Sequence, residues 1–140
     1  MKKVFIDSTG WYALVQSADV NHNIAKDYFQ SLLDSGAKLY TNIIEIDNVI
    51  NLLKKNCGLN VALEFSKLIE EAVLSTNLHI SWVTRRLRRN SLKQFFSIKE
   101  PDIQIRHCMV FEEVRRKKII SIFSFDQTLK SFGIPLMPQV

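Results

Sequence analysis

Apolar positions along the chain fall into two alternating rhythms. Short buried-looking runs are separated by longer segments in which hydrophobic residues return every three or four positions. Lys3 to Ile6 is the first short run, apolar and β-branched, and it predicts a strand ending at Asp7. Asp7-Ser8-Thr9-Gly10 then supplies cap and turn chemistry ahead of the apolar segment Trp11 to Val15. From Asn21 to Asp34, Ile24, Tyr28, Leu32 and Leu33 recur at helical spacing, and Gly36 follows where a C-terminal cap is expected. Lys38 to Tyr40 predicts a second strand. Thr41 or Asn42 can cap a third helix, striped by Ile46, Val49, Ile50 and Leu53 and ending near Cys57-Gly58. A fourth helix is predicted from about Asn60 to Ser75, and a strand from Leu78 to Val83.

Thr84 can cap the next helix. Leu87, Leu92, Phe95 and Phe96 form its apolar side, with Arg85, Arg86, Arg88, Arg89 and Lys93 elsewhere. Glu100-Pro101-Asp102 breaks the chain before a helix from about Ile105 to Lys117. Ile119 to Phe123 reads as the last clear strand, and Gly133-Ile134-Pro135-Leu136 as an extended tail. Strands alternating with helices predict one α/β domain over residues 1–140, with a mainly parallel sheet covered on both faces.

Bulk properties narrow the chemistry. The length of 140 residues suits one domain with a real core. The two cysteines, Cys57 and Cys108, lie far apart and outside any CxxC pair, which argues against a zinc finger and fits a reducing cytoplasm. The opening residues are too short an apolar run for a signal peptide, and no stretch is long enough to span a membrane. Gly-rich phosphate loops, serine-hydrolase patterns and HExxH are absent. The net charge of +5 favours an anionic partner such as nucleic acid, or else describes a solvated basic surface.

Two acids sit where an open α/β sheet gathers ligands, beyond the carboxyl ends of strands. They are Asp7 and Asp126. Two such carboxylates can share Mg²⁺ or Mn²⁺, or each can merely cap the helix that follows.

At this point a resemblance becomes specific. The opening FIDSTGWYAL, the segment LLDSGAKLYTNIIEIDNVINLLKK, the block FFSIKEPDIQIRHCMVFEEVRRKKI and the closing IISIFSFDQTLKSFGI resemble, in order, the motifs of PIN domains of the VapC toxin type. The resemblance implies a three-layer α/β/α fold and a metal-dependent endoribonuclease site of about four acids. Asp7 matches the first acid and Asp126 the fourth, and Thr9 matches the hydroxyl after the first. Counting back from Leu52-Leu53 puts Asn48 in the second place, with Asp47 beside it. His107 stands where the third acid precedes a cysteine.

The catalytic set carried over is thus Asp7, Asn48, His107 and Asp126, with Asp7 and Asp126 holding Mg²⁺ or Mn²⁺. Two unit charges ~4 Å apart interact by about 4 kcal/mol at an effective dielectric of about 20, so losing two carboxylates removes much of the attraction for a metal. Cleavage is therefore expected to be weakened or lost. Glu45, one turn before Asn48 and on nearly the same side, Asp47, offset from Asn48 by about 100° around the helix, or Asp102 can compensate, and Arg106 can meet an RNA phosphate or replace the missing metal charge. Thr9 is a further RNA-contact candidate, as are Arg85 and Arg86, which otherwise form a solvated helix face. Trp11 and Tyr12 are read as core. The alternative reading is an inactive PIN module that holds RNA or a protein partner; the resemblance also implies a homodimer and an antitoxin peptide.

Overall fold

In the computed structural model, which describes residues 2–139, the predicted alternation of strands and helices folds around one sheet. Strand β1 (Lys3–Ile6) is central, flanked by β2 (Lys38–Asn42) and β4 (Ser121–Phe123). Strand β3 (Leu78–Ser81) lies outside β2, and β5 (Leu136–Met137) outside β4, giving the order β3-β2-β1-β4-β5. Every pairing is parallel. All five strands therefore present their carboxyl ends at one edge.

Side chains alternate across β1 and so divide the core in two. Val4 and Ile6 face a cluster built with α1 (Ser8–Val15), α2 (His22–Asp34), α3 (Ile43–Cys57) and α4 (Leu59–Ser75), through Trp11, Leu32, Val49, Leu53 and Phe65. Phe5 faces the other side, where Val110 and Val114 of α6 (Ile105–Arg116) pack with Tyr40, Ile122 and Leu129. Helix α5 (Arg85–Ser97) lies against α6. This is the expected three-layer α/β/α arrangement.

Local chemistry explains the element ends near the sheet edge. The Asp7 carboxylate caps α1 by accepting the Gly10 N–H. Gly10 lets α1 approach β4: a Cβ there would stand 2.5 Å from the Phe123 carbonyl oxygen. Asn42 caps α3 by accepting the Glu45 N–H, and Gly58, at φ +99°, turns α3 into α4.

Three expectations are corrected. The extended tail is a paired strand: Ile122 N–H donates to Pro135 O and Ser124 N–H to Met137 O. Both prolines flank the two paired residues, Leu136 and Met137, at the sheet's edge, where proline is tolerated. Strand β3 stops at Ser81, two residues short of Val83, and Trp82 is 71% exposed. Phe96, expected on the apolar side of its helix, is 79% exposed. No helix among the described residues is long and apolar enough to cross a membrane.

Candidate active-site cleft

Strand β1 delivers Asp7 to the sheet edge with its side chain fully buried. One oxygen, Oδ1, accepts from Thr9 Oγ1 at 2.7 Å and Gly10 N at 2.9 Å, and the other accepts from Ser124 Oγ at 2.6 Å. Thr9 and Ser124 also stitch the start of α1 to the loop after β4. Phe125 N–H donates to Thr9 Oγ1, and Asp126 N–H donates to Ser124 Oγ. Burial pushes the Asp7 carboxyl up to about 7, and the nearby Glu45 charge adds to the rise; the hydrogen bonds from Ser124, Gly10 and Thr9 oppose it.

The acid that α3 contributes is Glu45. It is completely buried, and its Oε1 accepts from Ser8 N at 3.0 Å and Ser8 Oγ at 3.1 Å. Asn48 stands one turn later at the rim, donating to Ser8 Oγ at 3.0 Å. The pattern Asn42-x-x-Glu45 carries the signal for this: a capping residue followed three positions on by Glu fixes where a helix starts and which face its first turn presents. Asp47, as expected from its angular offset, is absent from these contacts.

Helix α6 brings Arg106 and His107 to the same edge. His107 Nδ1 accepts the Gln104 N–H at 2.9 Å, so the ring proton sits on Nε2, which donates to Asp126 Oδ2 at 2.8 Å. That hydrogen bond is the main reason the Asp126 carboxyl lies well below the usual carboxylate range, against a smaller opposing effect of burial; the Thr128 hydrogen bonds lower it further. Arg106 reaches between the two helices. Its Nη1 lies 3.2 Å from Glu45 Oε1 and its Nη2 3.6 Å from Asp126 Oδ2.

Asp7, Glu45, Arg106, His107 and Asp126 therefore form one network, with Thr9, Ser8 and Ser124 linking its members. Beside it opens a cavity of about 250 Å³ lined by Ser8, Thr9, Tyr12, Asn48, Arg106 and Phe125. Tyr12 is thus at the cleft as well as against the core, whereas Trp11 is buried and donates to Thr41 Oγ1. Arg85 and Arg86 lie outside this cleft, exposed in the first turn of α5. Residue-type reasoning missed Ser8 and Ser124, since a serine beside an acid carries no signal until the strands are paired.

The donor set does not fit a divalent ion. Hard cations need free carboxylate oxygens converging on one point. Here both Asp7 oxygens are occupied, Glu45 is held by Ser8 and Arg106, and Asp126 by His107, Arg106 and Thr128. A guanidinium lies between two of the three acids. Among the described residues, no three His, Cys, Asp or Glu side chains converge as a metal site requires.

The sheet order and the two core clusters define the three-layer PIN-like fold of VapC-type toxins, and solved structures bear this out. VapC20 of Mycobacterium tuberculosis, a Sarcin-Ricin loop cleaving toxin, superposes with a TM-score of 0.78 over 94% of this chain and 95% of its own, at 23% identity. PAE2754 from Pyrobaculum aerophilum gives 0.58 over 94% and 84%, at 12% identity. No family model and no curated protein matches the sequence.

Proposed function

We propose that this chain is a VapC-type PIN-fold protein in which metal-dependent RNA cleavage has been lost and the acid centre is closed by an internal cation, leaving a module that holds RNA. One observation carries the reading: Arg106 lies between Glu45 and Asp126, at 3.2 and 3.6 Å, where the acids would otherwise repel one another. A tethered guanidinium neutralises charge as a metal would, but it offers no site for water and cannot act as a Lewis acid. His107 completes the closure by taking the Asp126 oxygen.

Titration calorimetry with Mn²⁺, paired with an RNA cleavage assay, tests this. Wild type is expected to take up no Mn²⁺ and to cut nothing above background. Arg106→Ala with His107→Asp, which frees Glu45 and adds a fourth acid, is expected to gain Mn²⁺ binding. Mn²⁺-dependent cleavage by wild type that disappears in Asp7→Asn would overturn the proposal.

A protein partner, including the antitoxin peptide implied by the resemblance, finds its support elsewhere. An apolar groove of about 570 Å³ runs between α1, α2 and α4, lined by Trp11, Leu14, Phe29, Phe65, Leu68 and Ile69. A helix laid there would bury its apolar face. Leu68→Asp is expected to weaken capture of such a peptide by roughly tenfold without lowering the thermal unfolding temperature; unchanged capture would remove the groove from consideration.

A further inference from the structure

Trp82 is the largest exposed ring at the sheet edge. It follows directly on β3 and is 71% exposed. Burying an indole is strongly favourable, so a well-placed exposed one calls for an account. It stands on the wall of a cavity of about 360 Å³, with Ser81, Thr84, Leu87, Arg116 and Lys117. That volume admits one planar ring against the indole. The cavity is lined by none of the acid-cleft residues.

The charge around the cavity is one-sided. Thr84 caps α5, and the two residues after it are Arg85 and Arg86, with no acid in the helix's first turn. Cations at a helix N-terminus add to the positive end of the macrodipole instead of offsetting it. Their presence costs the isolated fold stability and raises the local potential for an anion. Arg85, Arg86 and Arg116 are exposed and form no ion pair among the described residues. Lys117, in contrast, is held by Ser81 and by Glu113, 3.8 Å away, and Glu113 is 3% exposed. The one acid in the wall is therefore already partnered, and the uncompensated charge is positive.

We infer that this surface is a binding track for single-stranded RNA, in which an unstacked base lies on Trp82 and the flanking phosphates meet Arg85, Arg86 and Arg116. A stacking platform beside a basic track suits a single strand, because a duplex keeps its bases on one another. The inference rests on the RNA-holding reading above and seats the nucleic acid in a cavity separate from the one beside the closed acid centre. An acidic peptide would satisfy the arginines but would have no use for the indole.

Fluorescence anisotropy of a labelled oligouridine of about 10 nucleotides tests the site. Wild type is expected to bind it at low salt and to prefer it to an RNA hairpin of equal charge. Trp82→Ala is expected to lose at least roughly fivefold in affinity, together with that preference, whereas Trp82→Phe keeps most of both. Stacking should also quench the exposed indole's emission, a signal absent from Trp82→Phe. If wild type binds the oligomer and Trp82→Ala binds it equally well, the track is overturned while the RNA-holding reading stands. If wild type binds no RNA at low salt, both fall. Polyglutamate binding as tight as oligouridine's would assign the surface to an acidic protein and overturn the inference.

Discussion

Asp7 bears the heaviest electrostatic burden of any single residue in the cleft. Its carboxyl is pushed from 3.8 up to about 7 by burial and by the charge on Glu45. Between those two pH values the folded protein holds a proton that the unfolded chain has released. The stability from this proton is complete below about 3.8 and is lost as pH rises to about 7. Asp126 has the opposite sign: its carboxyl is held low by His107, so its contribution is present above the unfolded value and is lost as pH falls. Asp7→Asn removes the first loss and leaves the second. The variant is expected to match wild type near pH ~4 and to exceed it by about 1–2 kcal/mol near pH ~8, a figure discounted for the weaker acceptor the amide offers Thr9, Gly10 and Ser124. Urea unfolding at the two pH values measures the difference. A variant that is less stable than wild type at the higher pH would show that Asp7 is ionised and satisfied where it stands.

Glu45 and Asn48 show how far residue-level reading reached. Both were visible as neighbours one turn apart, and both contact Ser8. Counting back from an apolar pair gave Asn48 the acid's place, because hydrophobic spacing fixes a helix face only to within a turn. The cap fixes it more tightly: with Asn42 accepting the Glu45 N–H, Glu45 lies in the first turn and reaches Ser8 at the start of α1. His107 and Arg106 were legible as departures from an acidic pattern. Their joint effect was not, since the Arg106 contacts with Glu45 and Asp126 span 61 and 20 positions of the chain.

At the scale of elements, the strands buried on both faces were the most legible. Val4, Phe5 and Ile6 are all at 0% exposure, and a run that apolar has nowhere else to go in a chain this size. The helices with strong caps, α3 from Asn42 and α5 from Thr84, also start where their capping residues stand. Elements at the sheet's margins were harder. Strand β5 has two paired residues beside Pro135 and Pro138, so neither length nor composition announces it. Strand β3 has the reverse problem: Trp82 and Val83 extend its apolar pattern, but pairing with β2 ends at Asn42 opposite Ser81, where β2 becomes α3. An apolar residue beyond the last ladder bond is free to serve a ligand instead of the core, and Trp82 is such a residue. Phe96 misled in the same way, since a helix packed mainly through Leu87 and Ser91 leaves its far turn uncovered.

Over the whole molecule, the net charge of +5 matters only where it is unpaired. Binding to RNA releases counterions in proportion to the phosphates neutralised, so the salt dependence of affinity counts free cations, not total ones. Arg115 is held by Glu112 at 2.7 Å and Lys117 lies near Glu113, whereas Arg85, Arg86 and Arg116 face solvent without an acid among the described residues. For a single strand, each phosphate met contributes about −0.7 to the slope of log affinity against log salt. Removing Arg85 and Arg86 together is therefore expected to flatten the slope by about 1.4, and Arg115→Ala to leave it nearly unchanged. Anisotropy titrations with oligouridine between about 50 and 200 mM salt give both slopes. A flattening shared by Arg115→Ala would mean that the charge acts as a diffuse field over the surface. A flattening confined to the α5 pair would place the phosphates at that helix's N-terminus, beyond the carboxyl end of β3 and outside the cavity beside the closed acids.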